Sequence, residues 1–180
     1  MRNTLMMLVA LMCALTVCAD ITPAADFDLQ KMSGKWYTVA ITSNAQWFVN
    51  SMAGMNTLTA VIVPTEGGDM DLNYASLKDD GSCYRATRTV QKTETPGRFT
   101  FHSQLRNNDN VMTFVEVVYD DYALVHKTKE EVSEAFITVY SRTTEFSEVV
   151  QQKFTQLALE AGVLPDNAVI LPQNAECPTV

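Results

Sequence analysis

Short β-branched and aromatic runs, each ended by a turn signal, fill the chain from Lys35 to Ser141. Lys35–Thr42 is the first and Asn56–Val63 the second. Glu66-Gly67-Gly68-Asp69 turns the chain into Met70–Leu77, and Asp79-Asp80-Gly81 turns it into Cys83–Lys92. Thr95-Pro96-Gly97 precedes Arg98–Leu105, and the polar stretch Arg106–Asn110 precedes Val111–Val118. Tyr119-Asp120-Asp121 leads into Tyr122–Lys127, and the charged loop Thr128–Glu134 leads into Ala135–Ser141. Gly, Pro, Asn and Asp clusters between β-prone runs mark strands joined by tight turns. Eight such strands in succession predict an all-β domain, closed as a barrel or split into a sandwich. An eight-stranded up-and-down barrel has room for one small ligand.

The period changes once. After Thr144, a plausible N-cap, the residues Phe146, Val149, Val150, Phe154, Leu157, Ala158 and Ala161 follow helical spacing. Gly162 supplies a C-terminal stop and Pro165 blocks continuation. One amphipathic helix following eight strands is expected to lay its apolar face on the outside of the sheet. Val169–Leu171 is a candidate short edge strand.

The amino terminus has another character. Arg2 precedes an apolar run, Leu5–Ala19, that ends in Val17-Cys18-Ala19 before Asp20. This is the pattern of a secretory signal peptide cleaved after Ala19, and the run is shorter than the ~20 residues a membrane span needs. The expected organisation is a leader over 1–19 and one domain over 20–180, secreted and without a transmembrane anchor. Removing the leader removes Cys13 and Cys18 and leaves Cys83 and Cys177. In an oxidising compartment two cysteines allow one intramolecular bridge, the alternative being two free thiols. A bridge would close a loop of about 95 residues and contribute up to ~4–5 kcal/mol in the chain-entropy model.

Composition narrows the function. The chain has 180 residues, with Lys plus Arg at 13 against 21 for Asp plus Glu, a net charge of −8. Nucleic-acid binding and attraction to anionic membranes both need a basic surface and are not expected. His102 and His126 are the two histidines, and neither has a carboxylate or Cys at ligand spacing, so no metal and no cofactor are expected. No nucleophile elbow and no Asn-x-Ser/Thr sequon occur.

Two motifs at opposite ends bring in a family. Gly34-Lys35-Trp36 opens the first strand, and Arg142 stands in Tyr140-Ser141-Arg142-Thr143 just before the helix. With eight strands and one late helix, this resembles the lipocalins, whose Gly-x-Trp and late Arg close the barrel floor by stacking. A desolvated cation over an indole face contributes up to ~2 kcal/mol. The resemblance implies an eight-stranded antiparallel up-and-down barrel with one C-terminal α-helix packed outside, closed at the floor by Gly34, Trp36 and Arg142. The family's Thr-Asp-Tyr motif is degraded here to Val117-Val118-Tyr119.

Within the lipocalins the chain is similar to the prostaglandin-D synthase branch over nearly the whole of residues 20–180. The shared stretches are Ser43-Asn44-x-x-Trp47-Phe48, Tyr119-Asp120-x-Tyr122-Ala123-Leu124, Tyr140-Ser141-Arg142-Thr143 with Val139 for a Leu before it, and Leu171-Pro172-Gln173. That likeness implies a Cys83–Cys177 disulfide. It also implies a pocket thiol early in the second strand, but the corresponding position is Leu58, which offers no nucleophile.

Side chains alternate faces along a strand. With Trp36 inward at the floor, Thr38, Ala40 and Thr42 are expected inward. Leu58 at the former thiol site takes Asn56, Ala60 and Ile62 with it. Arg142 at the floor puts Tyr140, Thr138 and Phe136 inside. A bridged Cys83 faces outward, so Tyr84, Ala86 and Arg88 face in. The candidate ligand-binding residues are thus Thr38, Trp47, Leu58, Ala60, Tyr84, Arg88, Phe136, Thr138 and Tyr140, with Arg88 able to pair with a ligand carboxylate. Trp47, Phe48, Met52 and Met55 lie in the long Ser43–Met55 loop, which in this fold covers the open end.

The favoured function is a secreted carrier of a small lipophile such as a retinoid, fatty acid, bile pigment or prostaglandin, without enzymatic activity. Two alternatives stand beside it. One is a prostaglandin-D synthase-type isomerase working without the thiol, by positioning alone. The other is an inhibitor or signalling protein that meets a cell-surface receptor, or another protein, through its open-end loops.

Overall fold

In the computed structural model, residues 21–103, 107–129 and 134–178 are described. The expected leader, residues 1–19, and the expected strand end at Leu105 lie outside them. The strands are Gly34–Ser43 (β1), Leu58–Pro64 (β2), Met70–Leu77 (β3), Cys83–Lys92 (β4), Arg98–Ser103 (β5), Asn108–Val118 (β6), Tyr122–Lys129 (β7), Ala135–Ser141 (β8) and Val169–Ile170 (β9). Two helices join them, Gln46–Ser51 (α1) and Glu148–Glu160 (α2). No described helix is long and apolar enough to cross a membrane.

β2 to β8 pair in sequence order, each antiparallel to the next, and β1 pairs with both β8 and β2. The sheet is therefore a closed barrel, and the sandwich alternative falls away. Closure leaves no long edge to template pairing with another chain. β1 is shared along its length. Gly34–Thr38 pairs with β2, while Ala40 and Ile41, further along, pair with β9. The short strand thus covers the part of β1 that β2 has left.

Two apolar cores follow from the alternation of faces. Inside the barrel, Trp36, Ala60, Ile62, Leu72, Val90, Phe99, Met112, Phe114, Val125 and Tyr140 pack together. Outside it, Val39, Tyr122, Leu124, Ile137 and Val139 from the wall meet Val150, Phe154, Leu157 and Ala158 of α2. The helix lies on the outer wall, as its amphipathic spacing predicts. Its start differs from expectation. Ser147 is the N-cap, its hydroxyl accepting from Val150 N at 3.4 Å, and Thr144 lies in the preceding loop. Starting there puts acidic Glu148 in the first turn, where the helix dipole favours it. The stop at Gly162 is as read. Its φ of +72° admits the two closing bonds, Gly162 N to Leu159 O and Val163 N to Ala158 O.

A β-bulge corrects the parity of β1. Thr38 pairs with Tyr140, but the next paired residue is Ala40, opposite Val139. Val39 is the extra residue, so alternation slips by one. Ala40 joins Val39 and Val139 in the outer core, and Thr42 pairs with Ile137 of that core. Neither points into the barrel as strict alternation from Trp36 requires. Ile41 and Ser43, opposite Thr138 and Phe136, take those places.

His126 sits on the outer face of β7, in one row with Thr113 of β6 and Arg98 of β5. Burial, aided by the Arg98 cation, pushes its pKa down to about 4. An unfolded histidine titrates near ~6.5. Between these values the unfolded chain binds the extra proton and the fold does not, so stability falls as pH drops through this window. His126→Gln is expected to remove that component. Urea midpoints of the two proteins should diverge from pH 6.5 to pH 4, with wild type losing more, and parallel curves would refute the assignment.

Candidate functional site

The floor of the barrel is built around one cation. The Arg142 guanidinium carbon lies 3.7 Å from the centroid of the Trp36 ring. Its Nε donates to Tyr119 O at 2.9 Å and its Nη1 to Lys35 O at 2.9 Å. Nη2 donates to Lys31 O and Ser33 O, each at 3.2 Å. Trp36 is itself fixed by its indole N–H, which donates to Met32 O at 2.8 Å. Gly34 completes the arrangement. Its φ is +97°, and a Cβ there would sit 3.5 Å from Arg142 Nη1, so the Gly-x-Trp spacing reflects a backbone that other residues rarely adopt. Although its motif is degraded, Tyr119 still serves the floor. Its carbonyl takes Arg142, and its hydroxyl accepts from Asp28 N at 2.7 Å. Phe27 plugs the end from below, its ring 4.9 Å from Phe114 and 6.0 Å from Phe99.

Above the floor the inward faces form a cup. Register places Thr38, Leu58, Ala60, Arg88, Phe136, Thr138 and Tyr140 on them. Ala60 lies opposite Trp36 and Leu58 opposite Thr38. Tyr140 is fully buried, and its hydroxyl meets that of Tyr74, on β3, at 3.0 Å. Burial raises the pKa of both phenols, Tyr140 well above its usual value, so each keeps its proton at neutral pH. Thr138 Oγ1 is buried with no protein hydrogen-bond partner. At the open end Leu58, Ser76 and Tyr84 border a cleft of about 330 Å³. Tyr84 stands at its rim, 48% exposed.

The loop over this end carries a short helix that six residues of sequence gave no period to reveal. α1 is held on the mouth by aromatic contact, Trp47 and Phe48 lying 5.5 and 5.7 Å from the Phe136 ring. Trp47 remains 37% exposed. The loop is therefore docked on β8 as well as covering the opening. Cys83 and Cys177 are bridged, with Cα atoms 5.8 Å apart, and the tail is tied further by Glu176 to Lys35 at 2.8 Å.

Sequence reasoning missed Tyr74 and one charged group, Lys127, on the cup wall. Lys127 lies opposite both Met112 and Phe136, which face inward, so it faces inward too. Its ammonium is 5.6 Å from the centroid of the Tyr140 ring. Burial, with the repulsion of Arg88, pushes its pKa down to about 7. Arg88 itself lies with its guanidinium 4.3 Å from the Phe101 ring centroid. The contact spans β4 and β5, whose registered pairs are Gln91–Thr100 and Lys92–Phe99 alone. Lys127 was legible in principle, because β7 pairs with β8 and Arg142 fixes the phase of β8.

Residues 33–175 match the lipocalin / cytosolic fatty-acid binding protein family. The chain belongs to the lipocalins. A protein named lipocalin from Rhinella marina is 38% identical over 91% of this chain and 90% of its own. A prostaglandin-H2 D-isomerase of Mus musculus is 28% identical over 87% of this chain and 84% of its own. Among solved structures, the siderocalin Ex-FABP, described as functioning through dual ligand specificities, superposes with a TM-score of 0.68 at 25% identity. It covers 81% of this chain and 96% of its own. The fold defines a small hydrophobic-ligand binder.

Arg142→Lys tests the floor. An ammonium cannot lie flat on the indole or reach all four carbonyls. The variant is expected to lose about 2–4 kcal/mol of unfolding free energy in urea, the range for charged hydrogen bonds plus a desolvated cation–π contact. A loss below ~0.5 kcal/mol, the usual range for surface substitutions, would mean that the floor does not depend on the guanidinium.

Proposed function

We propose that the protein is a secreted carrier that holds one small lipophilic molecule in the barrel. The observation that carries this reading is the cup itself, an apolar wall with a few inward polar groups beneath a mouth bordered by Leu58 and Tyr84. Ligand sites generally combine those features. Thr38, Leu58, Ala60, Phe136, Thr138 and Tyr140 would line the guest, with Trp47 and Tyr84 at the entrance. The leader-like Leu5–Ala19 run and the Cys83–Cys177 bridge support export to an oxidising compartment. The isomerase alternative has less support. Leu58 stands where a pocket thiol would be needed, and Cys83 and Cys177 are spent on each other. The protein-facing alternative has no identified partner surface.

Fluorescence titration of residues 20–180 tests the carrier reading. Trp36 at the floor and Trp47 at the mouth report from both ends of the cup. Retinoic acid, hexadecanoic acid, biliverdin and a stable prostaglandin analogue are the probes, the non-absorbing ones read by competition. Saturable quenching at micromolar concentration or below is expected from at least one. No response to any of them, in protein shown to be folded, would overturn the carrier reading and favour a protein partner.

A further inference from the structure

The barrel wall is laddered unevenly. Around the ring of β1 to β8, every other neighbouring pair of strands shares five or more registered pairs, whereas β4 and β5 share two, Gln91–Thr100 and Lys92–Phe99. Toward the mouth from Gln91 the two strands part. Cys83–Val90 is paired with β3 along its whole length, and among the described residues no hydrogen bond joins it to Phe101–Ser103 on its other side. Alternate residues of an antiparallel strand turn both backbone groups to the same neighbour. Half of this segment therefore presents N–H and C=O groups to a seam that β5 leaves unfilled.

Burial records the same break. Val90, next to the last pair, is fully buried. Ala86 and Arg88, inward by the same register, are half-buried, and Tyr84 is 48% exposed. Tyr84 also borders the mouth cleft, so the seam runs down the wall from the rim. It is a slit between neighbours and not an edge open to another chain, because one side chain spans it. The Arg88 guanidinium lies 4.3 Å from the centroid of the Phe101 ring, and that ring is buried.

We propose that the β4–β5 seam is a side entrance to the cup and that Arg88, laid on Phe101, is its latch. This rests on the carrier reading and adds the guest's route. The two ways in are closed differently. At the mouth, α1 is docked by two aromatic side chains on Phe136, and Phe48 is buried there. Lifting α1 exposes those rings to water. At the seam no ladder bond has to break. Turning Arg88 off one ring is enough, and its guanidinium passes from an aromatic face to water, where a cation is well solvated. Gln91–Thr100 and Lys92–Phe99 hold the lower end of the seam meanwhile. A slender guest would pass between the strands with its apolar surface against Tyr84, Ala86 and Phe101.

A latch and a ligand contact differ kinetically. A side chain that only blocks the path changes association and dissociation by the same factor and leaves Kd alone. A side chain that holds the guest changes Kd, mainly through dissociation.

Stopped-flow quenching of the tryptophans by retinoic acid and by biliverdin reads both rates on wild type, Arg88→Ala, Phe101→Leu and Phe48→Ala, the last loosening α1 at the mouth. Arg88→Ala is expected to raise both rate constants about five- to thirtyfold, the factor to which one cation–π contact amounts, with Kd nearly unchanged. Phe101→Leu should act in the same direction, and Phe48→Ala should leave both rates near those of wild type. Hydrogen exchange on wild type tests the seam without any substitution. Alternate amides of Cys83–Val90 should exchange much faster than those of Val111–Thr113, which have ladders on both sides. Protection of every amide in Cys83–Val90 would overturn the slit. Rates unmoved by Arg88→Ala and raised by Phe48→Ala would put the route at the mouth and overturn the side entrance. A weaker Kd carried by dissociation alone would make Arg88 a ligand contact and overturn the latch. The carrier reading survives each of these three results. Failure of every lipophile named above to bind would overturn the carrier reading, and the side entrance with it.

Discussion

Closure of the sheet by β1 is the constraint on which the rest depends. That strand bonds to β8 on one side and, on the other, to β2 and then β9. A flat sheet of these strands would bury one face, whereas a closed one makes an inside and an outside from the same alternation. Each strand thereby contributes to two cores. On β8, Tyr140 packs against Trp36 inside while Ile137 and Val139 meet α2 outside. Closure also demands a seal at the end where the strands converge, and Arg142 provides it. One guanidinium joins the end of β8 to the start of β1, to the N-terminal segment and to the β6–β7 turn through four carbonyls and one ring.

Most of this architecture could be read from the chain because turn chemistry and alternation are local properties. The turns at Gly68, Gly81 and Gly97 each have positive φ, and the strands between them lie where the β-prone runs are. Alternation carries inward-facing assignments correctly wherever it is anchored close by, as from Arg142 to Tyr140, Thr138 and Phe136, and from the bridged Cys83 to Arg88. It fails across a bulge, since one extra residue reverses every side chain beyond it. Val39 does this to Ala40 and Thr42. Nothing in the composition of Thr38-Val39-Ala40 announces the bulge, because its cause is the fit of β1 to β8 and β9 together.

The short helix α1 escaped for a different reason. Six residues are too few to establish a period, and the N-cap residue, Ala45, makes no side-chain capping bond. Tertiary contact supplies what local propensity does not, through the packing of Trp47 and Phe48 on Phe136. Lys127 was hidden by position. As the last residue of a run ending at a charged loop, it reads as the solvated end of a strand, and only the pairing of β7 with β8 turns it inward.

The contrast between surface and interior gives the cup its chemical meaning. The chain carries a net charge of −8, yet among the described strand residues the charged side chains whose register faces inward, Arg88, Lys92, Lys127 and Lys129, are basic. A negative surface does not keep an anion out, because exposed charges are screened over ~8 Å at physiological salt. Inside, Arg88 and Lys127 are half-buried. Their placement is also fixed by backbone register rather than by flexible loops, Arg88 opposite Leu72 and Lys127 opposite Phe136. An apolar wall would accept any lipophile of suitable shape. Arg88 and Lys127 instead rest on aromatic rings of that wall, Phe101 and Tyr140.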